Sequence, residues 1–132
     1  MKKLNLIASL LVALLLSSSI LLADEKPEPK EIAMTMPENV KAVVDNSCFG
    51  CHNTDSRNDD AKKELDFKTM HLLSDIKKLG ALKDIGDVIE ENEMPPEKFL
   101  ERRPEKALTD EQKQILIDWV KKESMALINK DK

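Results

Sequence analysis

The sequence predicts an all-α fold, and three observations predict it. No segment shows the strict apolar–polar alternation of a half-buried strand. Apolar residues recur at three- and four-residue spacing in several separate stretches. Thr109-Asp110-Glu111-Gln112 forms a capping box ahead of the last of those stretches.

The elements follow in order. Lys2 and Lys3 precede an apolar run from Leu4 to Leu22 that ends in Ser17 to Ser19 and Ala23, the pattern of a secretory signal peptide. Cleavage is expected after Ala23, with a site near Ser19 as the alternative because Leu21 is bulky for the −3 position. Leu4 to Leu22 is also almost long enough to span a bilayer, so retention as an inner-membrane anchor is the competing reading. No cysteine lies near the end of the run, which excludes a lipoprotein anchor. Residues 24–36 are charged, carry Pro27 and Pro29, and read as a flexible spacer.

A helical domain is expected over residues 37–128. Pro37 suits the first turn of a helix, and Val40, Val43 and Val44 continue it to about Asn46. Asn53 to Asp60 is polar and reads as a loop. Ala61 to Leu79 is expected to hold a helix, with Leu65, Phe67, Met70, Leu73, Ile76 and Leu79 as its apolar members and Gly80 as its C-cap. A shorter helix follows from Ala81 to about Glu91 through Leu82, Ile85, Val88 and Ile89, slightly weakened by Gly86. Asn92-Glu93-Met94-Pro95-Pro96 breaks it, with Pro95 pushing Met94 into an extended conformation. The last helix carries Ile115, Leu116, Trp119, Val120 and Leu127 on one stripe.

The chemistry concentrates in Cys48-Phe49-Gly50-Cys51-His52. Two cysteines three residues apart, followed at once by histidine, are the attachment sequence of a c-type haem. One turn brings both thiols to the same side, within reach of the two vinyl groups of one porphyrin, and His52 can place its imidazole beneath the iron. These are the only cysteines in the chain. A zinc site would need more ligands than Cys48, Cys51, His52 and His71 supply in this order. A thioredoxin-like redox pair would sit beside a βαβ pattern, and none is visible. The expected cofactor is therefore one covalently attached haem c.

Removing 23 of the 132 residues leaves 109, one small domain with only Phe49, Phe67, Phe99 and Trp119 as aromatic side chains. A porphyrin would supply the apolar surface that such a chain lacks. Trp119 is expected in the core, packed on the porphyrin or the first helix, with a propionate as an alternative partner for its N–H. All 25 acidic residues and 19 of the 21 basic ones lie beyond residue 23, a balance of −6. That argues against nucleic acid and suggests redox partners with a basic docking face. A membrane association is expected only if the signal segment is retained.

A single histidine leaves one axial position open, and methionine or histidine closes it in electron carriers. Met34, Met36, Met70, His71, Met94 and Met125 are the candidates. Met94 is preferred: it lies 42 residues beyond His52, in a proline-stiffened loop ahead of the last helix. Met70 and Met125 belong to helical patterns and are expected in the core. His71 is the rival ligand, although Met70 and Leu73 claim the inner face and leave it exposed. Arg57 is expected as a solvated surface residue rather than a propionate partner.

Asn46-Ser47-Cys48-Phe49-Gly50-Cys51-His52-Asn53, Leu65-Asp66-Phe67, Glu91-Asn92-Glu93-Met94-Pro95-Pro96, Leu108-Thr109 with Glu111, and Ile117-Asp118-Trp119 together resemble the haem-binding domain family, small c-type cytochromes of exported bacterial proteins. The resemblance runs from about Pro37 to Lys122. It implies a small cytochrome c-like helical domain wrapped around one haem. It implies Cys48 and Cys51 as attachment sites, His52 as proximal iron ligand and Met94 as distal ligand. One stretch departs from the family: Arg57-Asn58-Asp59-Asp60 stands where relatives carry an aromatic, proline-containing segment, so the haem edge there is expected to be more open or more polar.

The expected function is a periplasmic monohaem cytochrome that passes single electrons and needs no acid–base residues, so not an enzyme. A haem-based sensor or ligand-binding protein with a labile distal position is the alternative. A thiol-disulfide oxidoreductase is the third reading.

Overall fold

A computed structural model describes residues 36–130. The expectations for the signal peptide and for most of the spacer, Met34 included, lie outside the described residues. Five α-helices follow one another: α1 (Glu38–Ser47), α2 (Asp59–Glu64), α3 (Asp75–Glu90), α4 (Glu97–Leu100) and α5 (Asp110–Asn129). Single 3₁₀ turns occupy Met70–Leu72 and Pro104–Lys106, and no strand occurs among the described residues. The fold is all-α.

α3 and α5 form the frame. They run antiparallel, because ion and hydrogen-bond contacts close the pair at both ends. Lys130 Nζ meets Asp75 Oδ2 at 2.9 Å at one end, and Lys113 Nζ donates to Asn92 Oδ1 at 2.7 Å at the other. Exposed pairs of this kind contribute little energy individually; the apolar stripe between the helices does most of the work. Leu82, Ile85 and Ile89 from α3 meet Leu116, Trp119 and Val120 from α5 in a core that also takes in Val40, Val43 and Val44 from α1 and Met70. At Gly86 the two helices come close: a Cβ there would lie 3.5 Å from Val120 Cγ1.

The last helix starts as its sequence dictates. Thr109 Oγ1 accepts from the Gln112 N–H at 3.2 Å, and Gln112 Oε1 accepts from the Thr109 N–H at 2.9 Å. The first helix begins one residue later than expected. Pro37 has ψ 152°, outside helical geometry, and its carbonyl accepts the first intrahelical bond from Lys41.

The middle of the chain differs from the expectation. The helix foreseen over Ala61 to Leu79 is divided. α2 starts within the stretch expected to be a loop, where Asn58 caps it by accepting from the Ala61 N–H at 3.1 Å, and it stops at Glu64. Leu65 is extended (φ −148°, ψ 128°) because residues 65–67 leave the helix to bind His52. Gly80 is no cap: α3 runs straight through it, and Ala81 starts no new helix. The stripe of Lys78, Leu82, Ile85 and Ile89 is continuous across Gly80, and its burial against α5 outweighs the propensity cost of glycine. Lys78 joins the stripe with its aliphatic stem. Ile76 is turned away from this face and 80% exposed, and Met125 is 61% exposed rather than in the core.

α3 ends in a Schellman motif. Asn92 adopts φ 59°; its N–H donates to Ile89 O, and the Glu93 N–H donates to Val88 O at 2.8 Å. Asparagine tolerates this left-handed backbone better than most residues. Asn92→Val, a β-branched side chain at positive φ, is expected to destabilise the domain by about 1–3 kcal/mol. Asn92→Gly is expected to stay within about 1 kcal/mol of the parent, since it loses only two exposed hydrogen bonds, with Lys113 and with Glu90 O. Urea unfolding of the two variants side by side checks this.

Candidate functional site

Cys48-Phe49-Gly50-Cys51-His52 forms the turn that follows α1. The Cys48 N–H donates to Val44 O at 2.9 Å, the last bond of the helix. Cys48 O then accepts from both the Cys51 and His52 N–H groups at 3.1 Å, which winds residues 48–52 into one more turn. The turn is pinned from behind by Asn53, which is buried; its Nδ2 donates to Phe49 O and its Oδ1 accepts from the Asp55 N–H.

His52 is held at both its backbone and its ring. The Phe67 N–H donates to His52 O at 3.1 Å, and His52 Nδ1 lies 3.2 Å from Leu65 O. In the tautomer that donates from Nδ1, the Nε2 lone pair is left for a metal, the arrangement by which metal-binding histidines are oriented. The clamp is itself braced. Thr54 Oγ1 donates to Asp66 Oδ2 at 2.6 Å, the Lys68 N–H donates to Asp66 Oδ1 at 2.8 Å, and Lys68 Nζ pairs with Asp55. Burial acts to raise the Asp66 pKa, but the hydrogen bonds from Thr54 and the backbone outweigh it and hold the carboxyl below its ordinary value. No motif or periodicity in the sequence signals this clamp. The Leu65-Asp66-Phe67 triplet was legible only as a family likeness, since its role resides in backbone groups.

Cys48, Cys51 and His52 open into one cavity of about 380 Å³, within the range of sites that enclose small cofactors. Ala81, Ile85, Val88 and Ile89 supply an apolar wall from α3, and Phe99 and Leu108 a second. Met94, Pro95 and Pro96 border it as well. Pro95 is buried, Met94 is 38% exposed, and the peptide between them is cis. The Schellman motif makes this placement: it ends α3 at the cavity wall and turns the chain so that Met94 and the two prolines run along its edge.

The other ligand candidates lie elsewhere. Met70 is buried in the core, Met36 is half-buried against it, and Met125 and His71 are exposed; none borders the cavity. Arg57 is exposed and also absent from the cavity wall. Trp119 is buried in the core and does not reach the cavity, so it packs among side chains and not on a cofactor there. Its Nε1 has no hydrogen-bond partner among the described residues.

Of the stretch that departs from the family pattern, Arg57 to Asp60, only Asn58 borders the cavity; Glu64, which borders it too, lies beyond that stretch. Asn58 and Glu64 stand at the two ends of α2.

The residues fit a haem. An apolar slot of adequate size has two thiols on one side, an oriented imidazole beside them and a thioether at its edge. The family model of the haem-binding domain matches residues 55–122, just over half of the chain.

The chain belongs to the haem-binding domain family. Met94 and both apolar walls fall inside the matched stretch, whereas Cys48, Cys51 and His52 immediately precede it. No curated protein and no solved structure matches the chain. Haem is the cofactor that the family and the cavity jointly support.

The thiols bear on the competing chemistry. Neither cysteine is in a disulfide, and burial, with the neighbouring Cys51, pushes the Cys48 thiol up to about 11. An attacking thiolate needs the opposite environment, one that lowers the thiol pKa.

Proposed function

We propose that this protein is an exported monohaem c-type cytochrome that carries single electrons. In this reading the Cys48 and Cys51 thiols add across the two vinyl groups of one haem, each S–H supplying sulfur to one carbon and hydrogen to the other. His52, through Nε2, and the Met94 thioether would hold the iron. The bound haem supplies a one-electron Fe(III)/Fe(II) couple; the chain holds it, excludes water from its face and tunes its potential. No general acid, base or nucleophile is required, so the protein acts as a carrier and not as an enzyme.

The observation that carries the reading is the convergence of Cys48, Cys51, His52 and Met94 on one apolar cavity. Export to the periplasm rests on the signal-like residues 1–23, with retention of residues 4–22 as an inner-membrane anchor the variant form. Partners with a basic docking face fit the loop beside the cavity. Glu90, Glu91, Glu93 and Glu97 flank Met94, all are exposed, and none takes part in a salt bridge among the described residues.

A second reading, a haem-based sensor with a labile distal position, is favoured by one observation: Met94 is more than one third exposed. Spectra separate the two. The carrier is low-spin and six-coordinate, and its oxidised form shows a sulfur-to-iron charge-transfer band in the near infrared. The Met94→Ala protein is expected to lose that band, to have a lower reduction potential and to bind carbon monoxide when reduced. Survival of the band assigns the role to another methionine; a reduced parent protein that already takes up carbon monoxide favours the sensor.

A further inference from the structure

Two carboxylates stand in the cavity wall without a cation. Glu64, at the C-terminal end of α2, and Asp84, on α3, both border the cavity. Neither forms a salt bridge or side-chain hydrogen bond among the described residues. Among the described residues, no lysine or arginine borders the cavity. Of the lysines adjoining them, Lys62 is engaged with Asp59 and Lys83 with Asp87, and Lys63 is turned out to solvent.

We infer that Glu64 and Asp84 bias the bound haem toward its oxidised state. The inference rests on the haem seat described above. Ferric haem carries one more positive charge than ferrous haem, so fixed negative charge beside it stabilises the ferric form and lowers the reduction potential. Ser47, His52 and Asn58 are the other polar members of the wall; Glu64 and Asp84 are themselves exposed on their outer side, so solvent and salt screen part of their effect. Neither is ion-paired, although Lys83 lies within Coulombic reach of Asp84 while bonded to Asp87, and both act in the same direction.

The test is a spectroelectrochemical titration of the haem-loaded full chain, beside Glu64→Gln, Asp84→Asn and the double variant. Glu38→Gln serves as the control. It removes an exposed carboxylate at the far end of α1, about 15 Å along the helix from Cys48. At a fixed ambient potential, the double variant is expected to show a reduced-to-oxidised ratio about three- to tenfold higher than the parent. That is about 30–60 mV at 59 mV per tenfold for one electron. Each single variant should give part of the shift, and rising salt should shrink the difference between parent and double variant. Far-UV circular dichroism and an unchanged Soret band establish that the variants keep their fold and haem. A double variant whose potential moves no more than that of Glu38→Gln, or moves downward, overturns the inference while leaving the haem seat intact. A parent chain that takes up no haem overturns the seat itself.

Discussion

His52→Ala is expected to abolish the six-coordinate low-spin spectrum of the haem-loaded protein, and added imidazole is expected to restore it. The expectation follows from how the ring is held. Leu65 O fixes Nδ1 at 3.2 Å, and the Phe67 N–H fixes the carbonyl of the same residue at 3.1 Å. Both partners are backbone groups, so the seat for an imidazole survives when the side chain is removed. The two thioethers of the proposed attachment would keep the haem in place, and a free imidazole could then occupy the vacated position with Leu65 O still there to accept its N–H. A His52→Ala protein that remains low-spin and six-coordinate without imidazole would show that another group binds the iron on that side.

Leu82→Ala is expected to cost about 2–5 kcal/mol. Leu82 is fully buried at the centre of the α3–α5 interface, where the surrounding helices cannot collapse into the space left behind. Against a total stability of about 5–15 kcal/mol for an ordinary domain, that loss lowers the urea midpoint severely while leaving the slope unchanged. Ile76→Ala, on the same helix but 80% exposed, is expected to change stability by no more than about 0.5 kcal/mol. The pair separates packing from helix propensity, since both replace a branched or bulky aliphatic residue by alanine within α3. Equal effects at the two positions would contradict the stripe that the structure assigns to this helix.

The contrast between Leu82 and Ile76 shows where the sequence was legible and where it was not. Local signals read correctly: the Thr109–Gln112 capping box, the valines of α1 and the proline break after α3 all report interactions within a few residues. The candidate site was legible for the same reason, because Cys48, Cys51 and His52 stand together in one short turn, and the Met94 loop announces itself by its prolines. The helix boundaries between Ala61 and Ala81 differ from the expectation because they are set from a distance, whereas the helical stripe from Leu82 to Ile89 stands as expected. Residues 65–67 leave helical geometry to hold His52, thirteen positions earlier in the case of Leu65. α3 ignores Gly80 because α5 covers the stripe on either side of it. No periodicity within that stretch encodes either partner. The same holds for Glu64 and Asp84, whose meeting at one cavity depends on the break between α2 and α3.

The central claim is that one haem is bonded to the chain through Cys48 and Cys51. Intact-mass spectrometry of the denatured, reduced protein, produced in a host able to mature c-type cytochromes, tests it most directly. The account predicts a polypeptide heavier by a single haem, with the added mass carried on the tryptic peptide that spans residues 42–57. A chain that travels at its bare polypeptide mass after denaturation would contradict it.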